Sequence, residues 1–116
     1  MVLVRIEIIK GKSLYYKKKV MESVHKGLVN AIHIDQWDRF QRLFEIEDEL
    51  FERSENKTDE FTIIEITMSK GRTQEQKTRI FEEITNQLYK ELEILPTDVF
   101  IVIHDSPNEN WGLASR

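Results

Sequence analysis

Alternation of apolar and polar residues predicts two similar strands. The apolar positions fall into two runs with a period of two, Val4, Ile6 and Ile8 and, farther on, Ile64, Ile66 and Met68. Such a period, with one apolar face, is typical of a β-strand buried on one side. A third strand is expected at about 39–45. Residues 99–103 are apolar on both faces, and we interpret them as a central strand of the sheet.

Two longer segments carry apolar residues at intervals of three and four, which predicts amphipathic helices. Their apolar positions are Val20, Met21, Val24, Leu28 and Ile32 in the first, and Ile80, Phe81, Ile84, Leu88 and Leu92 in the second. Each segment follows a glycine and a hydroxyl residue, Ser13 or Thr73, suited to an N-cap. Thr73 and Gln76 also have the spacing of a capping box.

An internal repeat organises these elements. Shifting the sequence by sixty residues makes about nine of roughly forty aligned positions identical, including Asp38 with Asp98. Each copy reads strand–helix–strand, so its two strands are expected to be parallel with a right-handed crossover. We therefore predict an α/β (α+β) fold: a duplicated β-α-β unit forming a four-stranded mixed sheet with two helices on one face. One domain spans 1–116, with repeat halves at about 1–45 and 61–104.

The other face of this sheet is expected to be half apolar. The apolar residues expected there are Leu3, Ile9, Phe61 and Ile63. A half-apolar open face suggests burial against another subunit. The acid-rich segment 46–60 joins the two copies, and we interpret it as a solvated connection anchored by Leu50 and Phe51.

Composition narrows the functional classes. The chain has 116 residues, of which 40% are hydrophobic, and this suits one modest core. No apolar run approaches the roughly 20 residues of a membrane span, and the start reads as a strand and not as a signal peptide, so the cytoplasm is the expected location. The absence of cysteine excludes disulfide scaffolds and thiol catalysis. A net charge of −4 gives no support to nucleic-acid binding.

Common catalytic motifs are missing from the sequence. The four glycines are scattered and the three histidines lack metal-ligand spacing, so we expect no cofactor and no metal. Lys70 and Arg72 flank Gly71 where a strand turns into a helix, and helix amides favour anions. The two cations could bind a carboxylate or a phosphate. Lys10 and Lys12 repeat the pattern, so an inherited turn explains it equally well.

Three further residues are candidates for chemistry. Asp38 could be a general acid or activate a water, or it could cap a turn, as its repeat partner Asp98 would. His25 lies beside the apolar stripe of the first helix, and a buried histidine with a structural partner is the simpler interpretation. Trp111 either packs on its own chain or a neighbour, or walls a pocket.

Several motifs resemble those of the tautomerase superfamily, in particular the fused-repeat branch that includes malonate semialdehyde decarboxylase. They cover nearly the whole chain in order: Asp38-Arg-Phe-Gln41, Phe51-Glu-Arg-Ser54, the stretch 69–77, and Glu109-Asn-Trp111. The resemblance implies a homotrimer with active sites near subunit boundaries. It also implies an N-terminal proline that moves protons on small carboxylate substrates. Typical reactions are keto–enol tautomerisation, hydration or dehalogenation of unsaturated acids, and decarboxylation of a β-keto acid.

The resemblance also implies roles for individual residues. Lys70 and Arg72 match the cations that bind the substrate carboxylate, although one of the two is arginine in the family and lysine here. Lysine keeps the charge but loses the bidentate fork. Asp38 matches the acidic residue that assists water or the departing group. His25 and Trp111 match residues of the substrate pocket.

Position 2 departs from the family, because Val2 stands where the proline is expected. Removal of Met1 would give Val2 a primary α-amine, which can act as a base or form an imine with an aldehyde. One hypothesis is therefore a tautomerase-like enzyme with weakened or altered activity. The alternative is a non-catalytic homologue that binds a small acid or serves as an oligomeric partner module. A generic ferredoxin-like regulatory domain is a third reading, and it predicts a monomer or dimer.

Overall fold

The computed structural model describes residues 1–114, and its elements follow the predicted order β-α-β-β-α-β. They are β1 (Val2–Ile9), α1 (Leu14–Ile32), β2 (Phe40–Ile46), β3 (Thr62–Ser69), α2 (Gln74–Leu92) and β4 (Val99–Ser106). Short 3-10 helices cover Asp48–Leu50, Pro96–Asp98 and Asn108–Asn110. Within the described residues, neither α-helix is long and apolar enough to cross a membrane.

The strands form one sheet in the order β2-β1-β3-β4. β1 is parallel to β2 and β3 is parallel to β4, while β1 and β3 are antiparallel, which confirms the mixed sheet. The prediction of a central strand at 99–103 was wrong, because β4 lies at an edge. Ile101 and Ile103 pack against the helix-covered core, whereas Phe100 remains 53% exposed. Apolar residues on both sides of β4 therefore reflect an open sheet face and not a doubly covered strand.

Both helices cover the same face of the sheet and bury the even-numbered positions of β1 and β3, while the odd-numbered residues of β2 and β4 turn toward the same core. The core includes Val4, Ile6, Ile64, Ile66, Val24, Leu28, Ile80, Ile84 and Leu88. The helices begin as predicted: Ser13 Oγ accepts a hydrogen bond from the Tyr16 amide, and Thr73 and Gln76 form a complete capping box. The two helices approach closely at Gly27, where an added Cβ would lie 2.8 Å from the backbone N and Cα of Ile84.

A second, smaller cluster covers one end of the open sheet face. Ile9 and Phe61, which were expected on that face, are buried there against Phe51. Phe51 anchors the connection between the two units as predicted. Leu50 does not, since it is 75% exposed.

The repeat extends into the segments that follow β2 and β4. The 3-10 helix Asp48–Leu50 and Phe51 correspond, sixty residues later, to Asn108–Asn110 and Trp111. We call residues 47–57 and 107–113 the two covering segments. Phe51 packs against Phe61, which precedes β3, and Trp111 lines a cavity with Met1, which precedes β1. The start of the acid-rich connection therefore belongs to the repeat, because the segment that follows β4 has the same arrangement.

Candidate active site

Antiparallel pairing of β1 and β3 brings the chain start to the turn that follows β3. Val2 pairs with Met68, and the Ser69 amide donates to the Met1 carbonyl at 3.0 Å. The Met1 α-ammonium in turn donates to Ser69 Oγ at 2.9 Å. The turn carrying Lys70 begins at the next residue. Val2 and the predicted cation pair therefore belong to the same end of the sheet.

Asp38 lies at this end and is buried, with 8% of its surface exposed. Its Oδ1 accepts a hydrogen bond from the Val2 N–H at 3.0 Å, and its Oδ2 lies 3.8 Å from the Met1 α-nitrogen. The carboxylate therefore holds the start of β1 and compensates the positive charge of the chain terminus. An α-amine on Val2 would occupy the position now held by the Val2 amide.

The equivalent Asp98 has a different partner. It is 1% exposed, and its two oxygens accept hydrogen bonds from Thr58, from the amide at 2.9 Å and from the hydroxyl at 2.6 Å. Asp98 thus caps a loop, as the turn interpretation predicts. The chain runs continuously into β3 at this end, so Thr58 fills the space around Asp98.

The two repeated cation pairs also differ in their neighbours. In the first unit Lys10 lies 3.1 Å from a carboxylate oxygen of Glu47, and Lys12 lies 3.7 Å from one of Asp59. Across residues 1–114, the side chains of Lys70 and Arg72 make no ion pair or hydrogen bond. Arg72 is nevertheless half-buried. Positive charge is therefore neutralised at the first turn and available to an anion at the second, which an inherited turn alone does not explain.

An apolar cavity of about 200 Å³ adjoins the chain start. Its walls are Met1, Val2, Leu3, Phe40, Trp111, Gly112 and Leu113. The Trp111 indole N–H donates to the carbonyl of Ser106 at 3.3 Å, and the same carbonyl accepts the Lys70 amide at 3.0 Å. The indole is therefore fixed to the strand end that also holds the cation turn.

His25 is buried on α1 and is not among the residues that line this cavity. Burial lowers the pKa of the imidazole, the positive charge of Arg39 lowers it further, and the negative charge of Asp38 opposes both. Its Nε2 has no hydrogen-bond partner in the described part of the chain. The expectation of a histidine with a structural partner is therefore wrong for this nitrogen.

Ser69 is the residue at this site that sequence reasoning missed. Its hydroxyl holds the Met1 ammonium, yet a single serine at the end of a strand carries no motif. Its repeat partner is Ile9, which is buried in an apolar cluster. This exchange of a hydroxyl for an apolar side chain is the signal that comparison of the two copies offers.

Comparison with known proteins places this geometry in a family. Residues 38–114 match the profile of a family described as "Tautomerase enzyme". The chain is 27% identical over 120 residues to the probable tautomerase YusQ of Bacillus subtilis (strain 168), covering 99% of this chain and 94% of that protein. It is also 40% identical over 50 residues to the 2-hydroxymuconate tautomerase of Comamonas testosteroni, covering 43% of this chain and 79% of that one.

Solved structures agree with this assignment. The FG41 malonate semialdehyde decarboxylase inhibited by 3-bromopropiolate has a TM-score of 0.89 and 28% identity, covering 97% of this chain and 91% of that chain. Native fused 4-OT, at 18% identity, shares the fold with a TM-score of 0.85 and covers 98% of this chain and 94% of its own. With two β-α-β units in one chain and a family match over most of its length, this protein belongs to the tautomerase superfamily.

Proposed function

We propose that this protein is an enzyme that acts on a small carboxylate, by keto–enol tautomerisation or by decarboxylation of a β-keto acid. The observation that carries the proposal is the 3.0 Å contact between the Val2 nitrogen and Asp38, at the sheet end that also bears Lys70 and Arg72. The constellation consists of a chain-start nitrogen, a buried carboxylate, two cations that have no counterion among residues 1–114, and an aromatic wall. Membership of the tautomerase superfamily supports this use of it.

In tautomerisation, the α-amine of Val2 would move the proton. After removal of Met1, the amine accepts the proton of the enol hydroxyl and, as an ammonium, delivers it to the neighbouring carbon. Asp38 orients the nitrogen through its hydrogen bond and stabilises the ammonium by charge. Arg72 and Lys70 hold the substrate carboxylate, with arginine offering the planar fork and lysine a point charge.

In decarboxylation, a primary amine supplies a second route. The Val2 amine condenses with the substrate carbonyl to form an imine and releases water. The protonated imine takes up the electron pair of the C–C bond as carbon dioxide leaves, which yields an enamine. A proton is then added at carbon, and hydrolysis returns the free amine and the product carbonyl.

A non-catalytic acid-binding protein is the second candidate, and the contacts of Met1 favour it. While Met1 is attached, the Val2 nitrogen is an amide without a basic lone pair, and the ammonium of Met1 is held by Ser69. Intact mass of the purified protein distinguishes the two states. Retained Met1 favours the binding protein, and its removal favours the enzyme.

The deciding experiment is ketonisation of phenylenolpyruvate, followed by ultraviolet absorbance, on protein whose Met1 status is known from its mass. Arg72→Ala should lower kcat/KM by about ten- to a hundredfold, since it removes a charged contact to the carboxylate. Lys10→Ala is the matched control, because its ammonium is already paired with Glu47. Absence of turnover in Met1-free protein, for this enol and for a β-keto acid, would contradict the enzyme proposal.

We also propose a homotrimer that buries the open sheet face. Fused 4-OT proteins with the same fold have been solved as symmetric and asymmetric trimers. The open face here carries the half-buried Leu3 and Ile63 beside the exposed Phe100, and this apolar surface suits contact with another copy.

A further inference from the structure

We infer that the place of Met1, once that residue is removed, binds a free L-α-amino acid with an apolar side chain. Met1 is part of the chain, yet its contacts are those of a bound ligand. It is half-buried, and both its α-ammonium and its carbonyl have partners far away in the sequence. We call the groups that contact it the Met1 site: Ser69, Asp38 and the apolar cavity beside Trp111. The inference goes beyond the proposed reaction, because it requires removal of Met1 but no turnover.

The α-ammonium of Met1 is recognised by two groups. It donates a hydrogen bond to Ser69 Oγ at 2.9 Å and lies 3.8 Å from Asp38 Oδ2. The other oxygen of this buried carboxylate accepts the Val2 N–H at 3.0 Å, so the two nitrogens use different oxygens. A carboxylate beside a hydroxyl acceptor favours an ammonium, since hydrogen bonds that involve a charged group are the stronger ones. The amino group of a free amino acid has the same charge and can make both contacts.

The carbonyl of Met1 marks the place of a ligand carboxylate. Its oxygen accepts the Ser69 amide at 3.0 Å. When Met1 is absent, the Val2 nitrogen is an α-amine that is mostly protonated at neutral pH, so a carboxylate here would accept the Ser69 N–H and pair with the Val2 ammonium. The turn that bears Lys70 and Arg72 adds positive charge from the next residue onward. A free ligand would lie slightly farther from Val2 than Met1 does, because a hydrogen bond is longer than a peptide bond.

The apolar cavity accommodates the side chain of the ligand. Met1 and Trp111 both line it, and about 200 Å³ remains beside Met1, so a larger aliphatic or an aromatic side chain also fits. The Trp111 wall is held in place by the hydrogen bond from its indole to the Ser106 carbonyl. The polar contacts of the Met1 site are made within one chain and do not depend on exposed surface of the open sheet face.

The repeat does not reproduce these contacts at the opposite end of the sheet. The repeat partner of Ser69 is Ile9, which is buried in an apolar cluster. The partner of Met1 is Phe61, whose amide donates to the Thr58 carbonyl at 3.2 Å. The hydroxyl at position 69 is therefore specific to the end of the sheet where an ammonium is bound, and it is not a feature of the strand–turn plan that both units share.

An amino acid in the Met1 site would cover the Val2 nitrogen. It would therefore compete with the carboxylate substrate of the proposed reaction without being converted. The Met1-bearing chain would bind neither compound at this place, because its own first residue occupies it.

The test is a titration of Met1-free and Met1-bearing full-length chains with L-methionine, followed by amide chemical shifts in two-dimensional NMR. Each form is released from a fusion protein by cleavage before Val2 or before Met1, and its mass is verified. We expect shift changes in the Met1-free chain and none in the Met1-bearing chain. The residues expected to shift are 2–3, 38–40, 69–72 and 111–113.

Ser69→Ala should weaken the affinity of the Met1-free chain for L-methionine by about tenfold, as expected for loss of one charged hydrogen bond. The matched control is Ser54→Ala, which removes the hydroxyl of an exposed serine in the first covering segment and should leave the affinity unchanged. An affinity that Ser69→Ala does not lower would contradict the assigned ammonium contact.

Two analogues separate the contacts. The compound 4-(methylthio)butanoate lacks the amino group, and D-methionine exchanges the positions of the amino group and the side chain, so both should bind more weakly than L-methionine. Equal affinity for L-methionine and 4-(methylthio)butanoate, or equal affinity of the two forms of the chain, would refute the amino-acid site. Ketonisation by the same Met1-free protein is measured separately. Turnover without binding of L-methionine would overturn this inference alone, and binding without turnover would support it while contradicting the proposed enzyme.

Discussion

Asp38 and Asp98 occupy equivalent positions, yet only Asp38 lies beside a chain terminus. A carboxylate saturated by two donors has a structural task, and a carboxylate next to an α-nitrogen can also influence a proton transfer. The difference arises from chain continuity and not from the residue type. Their substitution therefore separates structure from chemistry.

Asp38→Asn should lower kcat/KM of Met1-free protein by about a hundredfold or more, because the amide keeps an acceptor for Val2 but loses the charge that stabilises its ammonium. Asp98→Asn should leave kcat/KM unchanged and lower the free energy of unfolding by about 1–2 kcal/mol, through weaker bonds to Thr58. Steady-state kinetics and urea unfolding of both variants test this. Equal losses of activity in the two variants would contradict the assigned role of Asp38.

His25 should make stability depend on pH. Burial, with help from Arg39, lowers the pKa of His25 in the folded protein below its usual value near 6.5. The unfolded chain therefore takes up a proton at a pH where the folded chain does not. The stabilisation of the folded state by the neutral His25 is fully present above about pH 6.5, and it is lost as the pH falls toward the lowered pKa of the folded state.

We therefore expect the free energy of unfolding of the wild-type protein to fall more steeply between about pH 7 and pH 5 than that of His25→Gln. Urea unfolding at several pH values measures both slopes. The pH dependence of the free energy of unfolding that remains in the variant comes from the titration of carboxylates. Indistinguishable slopes would contradict a buried neutral imidazole.

At the scale of elements, the crossing of α1 and α2 depends on the missing side chain of Gly27. Gly27→Ala should lower the free energy of unfolding by about 1–3 kcal/mol, because its Cβ would lie 2.8 Å from backbone atoms of Ile84 that cannot rotate away. The better helix propensity of alanine offsets up to about 1 kcal/mol of this. Gly112→Ala, which meets open space, should change stability by less than about 0.5 kcal/mol.

Elements set by local signals were predictable from the sequence. The strand period, the helical stripe and the caps at Ser13 and Thr73 depend on residues close in the chain, so the sequence contains what determines them. The position of β4 in the sheet does not depend on residues close in the chain. Apolar residues on both sides of a strand are compatible with a central strand or with an edge strand whose second face is open, and only tertiary structure distinguishes these.

For the candidate site, the sequence indicated several residues but not all of their contacts. One end of the sheet gathers four of the candidate residues, Val2, Asp38, Arg72 and Trp111. They meet there because both units repeat the same order of elements and because antiparallel pairing of β1 with β3 brings the start of one strand to the end of the other. The contact of the Ser69 hydroxyl with Met1, and the lack of a counterion for Lys70 within residues 1–114, depend on how distant segments are placed, which no local pattern encodes. The covering segments did leave a signal, since Glu49 and Glu109 are identical sixty residues apart.

At the scale of the whole molecule, the proposed trimer can be tested by one substitution on the open face. Val102 is half-buried there and pairs in register with Glu65. Val102→Lys places an ammonium beside that carboxylate, which a monomer tolerates, but burying it against another subunit is costly. We expect light scattering to show a trimer for the wild-type protein and a smaller species for the variant.

Asn86→Lys, an exposed position on α2, is the control for added charge. The circular dichroism spectrum should be the same for all three proteins. A wild-type monomer would contradict the proposed assembly, and a trimer that persists in Val102→Lys would contradict the use of this face.

The proposed base is the α-amine at the start of the chain. The duplicated fold has two equivalent positions for such an amine, before β1 and before β3, but a linear chain has only one N-terminus. Leu113 lines the same cavity as Met1, so the last described residues lie near the first and a short peptide could join them. In a circular permutant, such a peptide would join the old termini, and the chain would begin at Phe61. Val2 would then have no free terminus beside it, and Thr58 would no longer be connected to β3. The new α-amine would then start β3 near Asp98, and the gene's starting point would decide which half of the molecule is reactive.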